Sequence, residues 1–274
     1  MLGKRIATAL IGIPVSAWII HYGQWVLVCT VGILAFIAWQ EFSAMLKKKQ
    51  IFTWRSIGFL GILGLIGCAW LGNSQEMVFL SLLFTLIILM KPVFSGRTDA
   101  VNDVAFSILG IFYIGLAFSH LLLLRFTDSS LIIPTFFGLM PMGEVYLWLA
   151  FIGTWASDTF AYFIGSFLGK HKLCPAISPG KTIEGGIGGL LGSVGVVLAI
   201  GMTLHMPIQH GLALGILIGV AAPAGDLVES ALKRFTGVKD SGNILPGHGG
   251  VLDRFDSILF TVPVVYYYIH GFIV

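Results

Sequence analysis

The chain has 274 residues, of which 57% are hydrophobic and only 11% are charged, and its formal net charge is +3. Soluble globular domains contain about 25% charged residues, so this composition excludes a protein with a fully hydrated surface and indicates a polytopic membrane protein. No basic run with interleaved aromatic residues is present, so we predict no nucleic-acid partner and take the bilayer as the chain's surroundings.

Apolar segments long enough to cross a bilayer recur along the chain. A crossing helix needs about 20 apolar residues, and these segments lack the period-two alternation of membrane strands. We therefore predict an all-α integral membrane protein in which residues 1–274 form a single polytopic membrane domain. Its transmembrane helices number about nine and lie near 5–21, 24–45, 56–72, 76–91, 104–124, 145–168, 185–205, 210–232 and 252–273.

The basic residues predict the orientation of these helices. With the N-terminus in the cytoplasm, all but one of the 16 Lys and Arg residues fall in cytoplasmic segments, and only Arg125 lies outside them. Cytoplasmic loops of membrane proteins carry such an excess. We therefore predict a cytoplasmic N-terminus. The first apolar run is interpreted as an uncleaved span, since no small-residue cleavage motif stands out and a second apolar run follows almost at once.

The first polar cluster lies within the sixth predicted span, around Asp158. An ionisable residue inside the membrane is costly and is by default a functional hypothesis. The structural alternative is an aspartate that orders helix packing through hydrogen bonds with Ser157 or Thr159.

The second cluster is the loop 169–186, which leads into the seventh predicted span. It combines glycines with Lys172, Ser178, Lys181, Thr182 and Glu184. A turn of this kind before a helix suits an anion, because free backbone N–H groups and the helix dipole both attract phosphate. A Walker site is rejected, since the required upstream glycine and a preceding strand are missing. The alternative is a capping turn beside orienting lysines.

The third cluster, residues 226–256, is the most charged stretch of the chain. Asp226 and Glu229 are three residues apart, as are Asp253 and Asp256, so the members of each pair lie on one side of a helix and repel. Repulsion at the edge of an apolar medium favours bound cations, and carboxylate oxygens are ligands for hard cations such as Mg²⁺. The alternative is partial neutralisation of the acids by Arg254.

The same stretch resembles the signature of the phosphatidate cytidylyltransferases, membrane enzymes also called CDP-diacylglycerol synthases. The resemblance runs through Ser230-Ala-Leu-Lys233-Arg234, Lys239-Asp240 and Leu245-Pro-Gly-His248-Gly249-Gly250-Val-Leu-Asp253-Arg254-Phe-Asp256. Ser157-Asp158 and Ser178-Pro-x-Lys181-Thr182-x-Glu184-Gly185 are also similar to that family. Residues 1–145 match it mainly in hydropathy, as variable N-terminal spans, so the resemblance places the catalytic spans in 146–274.

The resemblance implies conversion of CTP and phosphatidate into CDP-diacylglycerol and pyrophosphate, for phospholipid biosynthesis. It implies Mg²⁺ as cofactor and K⁺ as a second cation. We expect the chain to lie in a bacterial plasma (inner) membrane, with the active site at the cytoplasmic face that the distribution of basic residues predicts. The catalytic residues that it implies are Asp226, Asp253, Asp256, Lys239 and His248. The metal ligands that it implies are Asp226, Asp253 and Asp256, and we expect Asp158 to support the second cation. We expect the substrates to be bound by Lys172, Ser178, Lys181, Thr182, Glu184, Lys233, Arg234, Gly249, Gly250 and Arg254.

Two other functions stay open at this point. A CTP-dependent polyprenol kinase would also use CTP at a membrane, but it would release CDP rather than pyrophosphate. An ion-coupled transporter would account for nine spans with intramembrane acids, although the acids here cluster at one face. The sequence also leaves a homodimer open as the oligomeric state.

Overall fold

The computed structural model describes residues 2–97, 100–244 and 249–274. The first half is helical: α1 Leu2–Tyr22, α2 Gln24–Lys47, α3 Arg55–Trp70, α4 Ser74–Leu89, the short α5 Lys91–Ser95, α6 Val101–Gly110 and α7 Ala117–Phe126. A π-helical segment, Ile111–Leu116, connects α6 to α7, so that the three form one continuous helical stretch, Val101–Phe126. The second half contains α8 Met142–Leu168, α9 Ile183–Thr203, α10 Ile208–Thr236, α11 Leu252–Phe255 and α12 Ile258–Phe272.

Each predicted apolar segment coincides with a helix or a helical pair in the described part of the chain. Five helical stretches there are long and apolar enough to cross a membrane: Gln24–Lys47, Ser74–Ser95, Val101–Phe126, Ile183–Thr203 and Ile208–Thr236. Arg55–Trp70 and Ile258–Phe272 are shorter apolar helices. A mainly helical membrane protein is therefore the architecture that the described residues support.

The last predicted segment is divided in the structure. Residues 252–273 form two helices, α11 and α12, with Asp256 and Ser257 between them. The Asp256 carboxylate accepts a hydrogen bond from the backbone N–H of Ser257 at 2.8 Å. Asp256 thus lies before the apolar helix α12 and outside it.

Two short antiparallel hairpins interrupt the helices. Strands β1 Ile132–Thr135 and β2 Gly138–Pro141 pair within the loop before α8. Strands β3 Lys172–Cys174 and β4 Ser178–Thr182 pair within the loop before α9. The all-α prediction did not include these strands, because each is only three to five residues long and lies in a segment rich in Gly, Pro or Ser, which favours turns.

The chain forms two compact units, residues 1–123 with 235–254 and residues 124–234 with 255–274. The core of the first unit is built around Trp39 of α2, which is fully buried. Its indole N–H donates to the carbonyl oxygen of Arg55 at 2.9 Å. Gly58 and Gly110 lie against the ring, where a Cβ atom at either position would overlap it. Glycine is therefore what lets the neighbouring helices approach this side chain.

The second unit is organised by close contact between α8 and α9. Gly188, Gly189 and Gly192 lie on one side of α9, and a Cβ atom on any of them would overlap α8. At Gly189 it would lie 2.8 Å from the backbone oxygen of Ser157, the residue before Asp158. Small residues at a helix interface allow close van der Waals packing. This packing matters in a membrane, because the lipid tails are themselves apolar and the hydrophobic effect contributes little to helix association. The glycine stripe thus fixes α9 against the part of α8 that bears Asp158.

Candidate active site

Three of the acidic residues predicted from the sequence interact in the second unit. Asp158 projects from α8, Asp226 from α10, and Asp256 precedes α12. The carboxylate of Asp226 repels those of both Asp158 and Asp256, and Asp158 also repels Asp256. Gly225 permits this grouping, since a Cβ atom there would overlap the backbone oxygen of Asp256.

The electrostatic consequence is clearest at Asp256, outside the apolar helices. Partial burial and the neighbouring carboxylate of Asp226 raise the pKa of Asp256 to about 7. Asp158 raises this pKa further, whereas the Ser257 N–H and Lys233 lower it. A nearby cation stabilises the charged form of a carboxylate in this setting, because it offsets both the cost of desolvation and the repulsion by neighbouring carboxylates.

Lys181 of β4 provides one such cation within the protein. Its Nζ lies 2.8 Å from Oδ2 of Asp226 and 3.4 Å from the carbonyl oxygen of Pro223, which lies inside α10. The side chains of Lys181 and Asp226 are 24% and 35% exposed, so the ion pair remains open to solvent and ligands. Ser230 donates a hydrogen bond to the other Asp226 oxygen, Oδ1, at 3.2 Å.

The hairpin that holds Lys181 is fixed by its own polar residues. Thr182 is the N-cap of α9, and its Oγ1 accepts a hydrogen bond from the Gly185 N–H at 3.1 Å. Glu184 accepts hydrogen bonds from the backbone N–H groups of Lys170 and His171, at 3.1 Å and 3.2 Å, and it pairs with the His171 ring at 2.6 Å. Thr182 and Glu184 therefore shape the loop, while Lys172 and Ser178 lie on its paired strands.

Two basic residues of the signature lie at the end of α10 within the same unit. Lys233 forms an ion pair with the buried Glu229 at 2.5 Å. Arg234 donates from Nε to the carbonyl oxygen of Ile177, in the turn between β3 and β4, at 3.1 Å. Glu229, which the sequence pattern pairs with Asp226, thus forms an ion pair with one of the predicted phosphate-binding residues, Lys233.

The remaining signature residues belong to the first unit, where Asp253 has a different setting. Its Oδ2 accepts hydrogen bonds from the N–H groups of Ser241 and Gly250, both at 2.8 Å, and from Ser241 Oγ at 2.9 Å. Gly249 has φ +84°, a left-handed conformation that favours glycine. Lys239 and Arg254 are exposed, whereas Gly250 is buried. His248 lies outside the described residues.

The donors available for Mg²⁺ are carboxylate oxygens, which this cation prefers. Within residues 2–97, 100–244 and 249–274, no three His, Cys, Asp or Glu side chains are gathered as a ready-made metal centre. Asp158, Asp226 and Asp256 nevertheless repel one another, and Lys181 already places a positive charge against Asp226. The donor chemistry of this acidic group fits a divalent cation.

A sequence model of the cytidylyltransferase family matches residues 3–272 of the chain. The chain belongs to this family. Curated family members named phosphatidate cytidylyltransferase are 36% identical to it, and each alignment covers 95% of this chain and 96% of the relative. They come from Staphylococcus saprophyticus, Staphylococcus epidermidis and Staphylococcus aureus. The family resemblance predicted from the sequence is thus confirmed over nearly the whole chain.

Two polar residues that contact the family signature were not predicted from the sequence. Glu41, in α2, accepts hydrogen bonds from the N–H groups of Val251 and Leu252. Ser241 lies within hydrogen-bonding distance of both Glu41 and Asp253. A signal for Glu41 was present, since it is an acid inside a predicted apolar span, and such acids are costly unless they have partners. Nothing in the sequence pattern marked Ser241.

Proposed function

We propose that this protein converts CTP and phosphatidate into CDP-diacylglycerol and pyrophosphate in phospholipid biosynthesis. The observation that carries the proposal is the 36% identity, over 95% of the chain, to relatives named phosphatidate cytidylyltransferase. The membrane-protein composition supports it, because one of the two substrates is a lipid.

The chemistry of the second unit suits two anionic substrates. Both the triphosphate of CTP and the phosphate of phosphatidate are negatively charged, so their approach requires compensating positive charge. Lys181 forms an ion pair with Asp226, and Lys233 forms one with Glu229. A substrate phosphate can take the place of either carboxylate beside its lysine or bind next to it. We assign Lys181 and Lys172 to the phosphates of the substrates, and Lys233 and Arg234 to the same task at the end of α10.

The reaction is an in-line displacement. An oxygen of the phosphatidate phosphate attacks the α-phosphorus of CTP and forms a new P–O bond. The bond between that phosphorus and the oxygen that bridges to the β-phosphate breaks, and pyrophosphate leaves with its electrons. The attacking oxygen is already anionic near pH 7, so the step requires orientation and charge compensation rather than a strong general base.

Cations are part of the proposal. Asp158, Asp226 and Asp256 would hold Mg²⁺ through their carboxylate oxygens, whereas Asp253 stays a ligand predicted from the family resemblance. When bound, Mg²⁺ would neutralise charge on the phosphate oxygens. We propose K⁺ as the second cation. The support is the mutual repulsion of the acidic group, which bound cations would relieve.

The membrane arrangement is likewise proposed. Nine spans with a cytoplasmic N-terminus would place the acidic group and the signature at the cytoplasmic face of the bacterial inner membrane, where CTP is available. The support is the distribution of Lys and Arg along the sequence. Single-cysteine labelling from either side of the membrane would test it. The homodimer stays a hypothesis, which mass measurement in nanodiscs would test.

A labelling experiment on purified protein tests the reaction. With phosphatidate in mixed micelles, label in the α-phosphate of CTP should enter the lipid, and label in the γ-phosphate should appear in pyrophosphate. Transfer of γ-label to a polyprenol would instead identify a lipid kinase. Absence of any product, combined with ion uptake by proteoliposomes, would identify a transporter. Either result would refute the proposed reaction.

A further inference from the structure

Glu41 is a buried acid whose hydrogen-bond partners lie 200 to 211 residues away in the sequence. It belongs to the apolar helix α2, and only 5% of its surface is exposed. Its Oε1 accepts a hydrogen bond from the Val251 N–H at 2.9 Å, and its Oε2 accepts one from the Leu252 N–H at 3.0 Å. A buried carboxylate is costly unless it is hydrogen-bonded in this way. Burial of Glu41 therefore depends on the backbone of residues 251–252.

The segment is shaped to receive this carboxylate. Gly250 has no side chain, and a Cβ atom there would lie 2.5 Å from both carboxylate oxygens of Glu41. A Cβ atom at Gly242 would overlap the same carboxylate. Real Cβ atoms essentially never come so close, so both glycines provide the space that Glu41 occupies. Glu41 and the two ends of residues 241–253 are complementary in shape as well as in hydrogen bonding.

A second carboxylate secures the same two ends. Asp253 accepts hydrogen bonds from the N–H groups of Ser241 and Gly250. The hydroxyl of Ser241 lies 2.9 Å from Oδ2 of Asp253 and 3.2 Å from Oε2 of Glu41. Because a hydroxyl has one proton to donate, the two acids share it. Ser241 thus links Glu41 to Asp253, a residue of the proposed catalytic set.

We propose that Glu41 is a positioning residue, which holds residues 241–242 and 250–253 in the conformation needed for the transfer of the cytidylyl group. The inference rests on the proposed function, because these residues include the signature residue Asp253. Glu41 acts through the backbone of Val251 and Leu252 and through Ser241, and it is assigned no contact with substrate. A residue of the variable N-terminal half would thereby support the conformation of the family signature.

The test compares Glu41→Gln with wild type in detergent micelles. The amide keeps the size of the side chain but loses the charge and replaces one acceptor with a donor that faces an N–H group. Loss of the hydrogen-bond partners that support a metal ligand typically costs about 10- to 100-fold in metal affinity or activity, and Asp253 is one of the predicted ligands. We expect kcat/KM for CTP to fall in that range and KM for phosphatidate to stay within about twofold of wild type. Hydrogen exchange at the Val251 and Leu252 amides should accelerate.

Two further variants keep the test informative. Ser241→Ala removes the shared proton but keeps the Glu41 bonds to the two amides, so it should give the same pattern with a smaller effect, even if Glu41→Gln folds poorly. Ser43→Ala is the matched control. Ser43 is also a buried polar residue of α2, and its hydroxyl accepts a hydrogen bond from Thr53, a residue of the N-terminal half, at 2.8 Å. This control should leave the KM for CTP unchanged.

The outcomes separate the two proposals. If wild type forms no CDP-lipid from CTP and phosphatidate, the proposed function fails, whatever the variants do. If wild type is active and Glu41→Gln matches it in both kinetics and amide exchange, the positioning role is refuted. The role is also refuted if Glu41→Gln and Ser241→Ala lower kcat alone, in proportion to the folded fraction, with both KM values unchanged. That pattern would describe a purely structural residue.

Discussion

Replacement of Lys181 by methionine tests whether the pair with Asp226 serves stability or chemistry. Methionine keeps an unbranched apolar chain of similar reach and removes only the charge and its hydrogen bonds. The Nζ–Oδ2 distance is 2.8 Å, which corresponds to an attraction of about 1.5 kcal/mol at the dielectric constant of water. Both side chains remain partly exposed, at 24% and 35%. Exposed pairs of this kind contribute only about 0.2–1 kcal/mol, because desolvation and side-chain ordering oppose the attraction.

The expected effects on stability and activity therefore differ widely. A loss of up to about 1 kcal/mol shifts the thermal midpoint of a protein of this size by no more than about 4 °C. A group that stabilises charge developing on a phosphate contributes far more, and its removal lowers kcat by about 100- to 1000-fold. Product formation from α-labelled CTP and the thermal midpoint should be measured on the same preparation of purified Lys181→Met.

Lys91→Met is a matched control, because it also removes a lysine from a carboxylate. Lys91 pairs with Asp103 at 3.1 Å in the first unit and has no assigned part in the reaction. We expect it to lower the thermal midpoint while kcat per folded molecule stays close to that of wild type. Lys181→Arg should retain more activity than Lys181→Met. If Lys181→Met keeps kcat within about threefold of wild type, the assignment of Lys181 to the substrate phosphates is wrong.

Three further predictions concern the proposed cations, the acidic group and the signature. Removal of divalent cations with EDTA should stop product formation and added Mg²⁺ should restore it; turnover that persists in EDTA contradicts the role given to the carboxylates. Gly225→Ala should destabilise the protein by about 1–3 kcal/mol and reduce product formation, since the new Cβ overlaps the Asp256 backbone. The control is Gly195→Ala, because a Cβ atom at that position would have no heavy atom within 4 Å. Equal thermal midpoints for the two variants would show that the close contact between Gly225 and Asp256 is unimportant for stability. Asp253→Asn should abolish product formation and also lower the thermal midpoint, since hydrogen bonds to charged groups contribute about 1.5–3 kcal/mol; wild-type activity would remove Asp253 from the catalytic set.

The apolar segments were predictable because length and hydropathy alone determine which stretches can cross a bilayer as helices. The predicted boundaries were less accurate where a polar side chain forms a hydrogen bond with the backbone at the end of a helix. The prediction began the seventh span at residue 185, but α9 begins at Ile183, because Thr182 caps it. The last span was taken as continuous, whereas Asp256 binds the Ser257 N–H between α11 and α12. Side-chain capping of this kind is a local interaction that hydropathy does not register.

The polar clusters were recognisable in the sequence, but their partners were not. Asp158 and Asp226 were singled out, yet their mutual repulsion depends on how α8 and α10 pack, which spacing within one helix cannot reveal. Asp253 and Asp256 were treated as one pair, and the structure gives Asp253 its own set of backbone and hydroxyl donors. The pairing of Glu41 with residues 251–252 joins distant parts of the chain, and only the folded structure brings them together.

The glycine stripe of α9 has a practical consequence for work outside the native membrane. Gly188, Gly189 and Gly192 bring α9 against α8 through direct atomic contact. Such packing needs no lipid between the helices, so exchange of lipid for a mild detergent should not separate them. The helix that bears Asp158 and the helix that follows Lys181 should therefore be extracted from the membrane as one rigid pair. Harsh detergents that insert between helices would be the ones to avoid during purification.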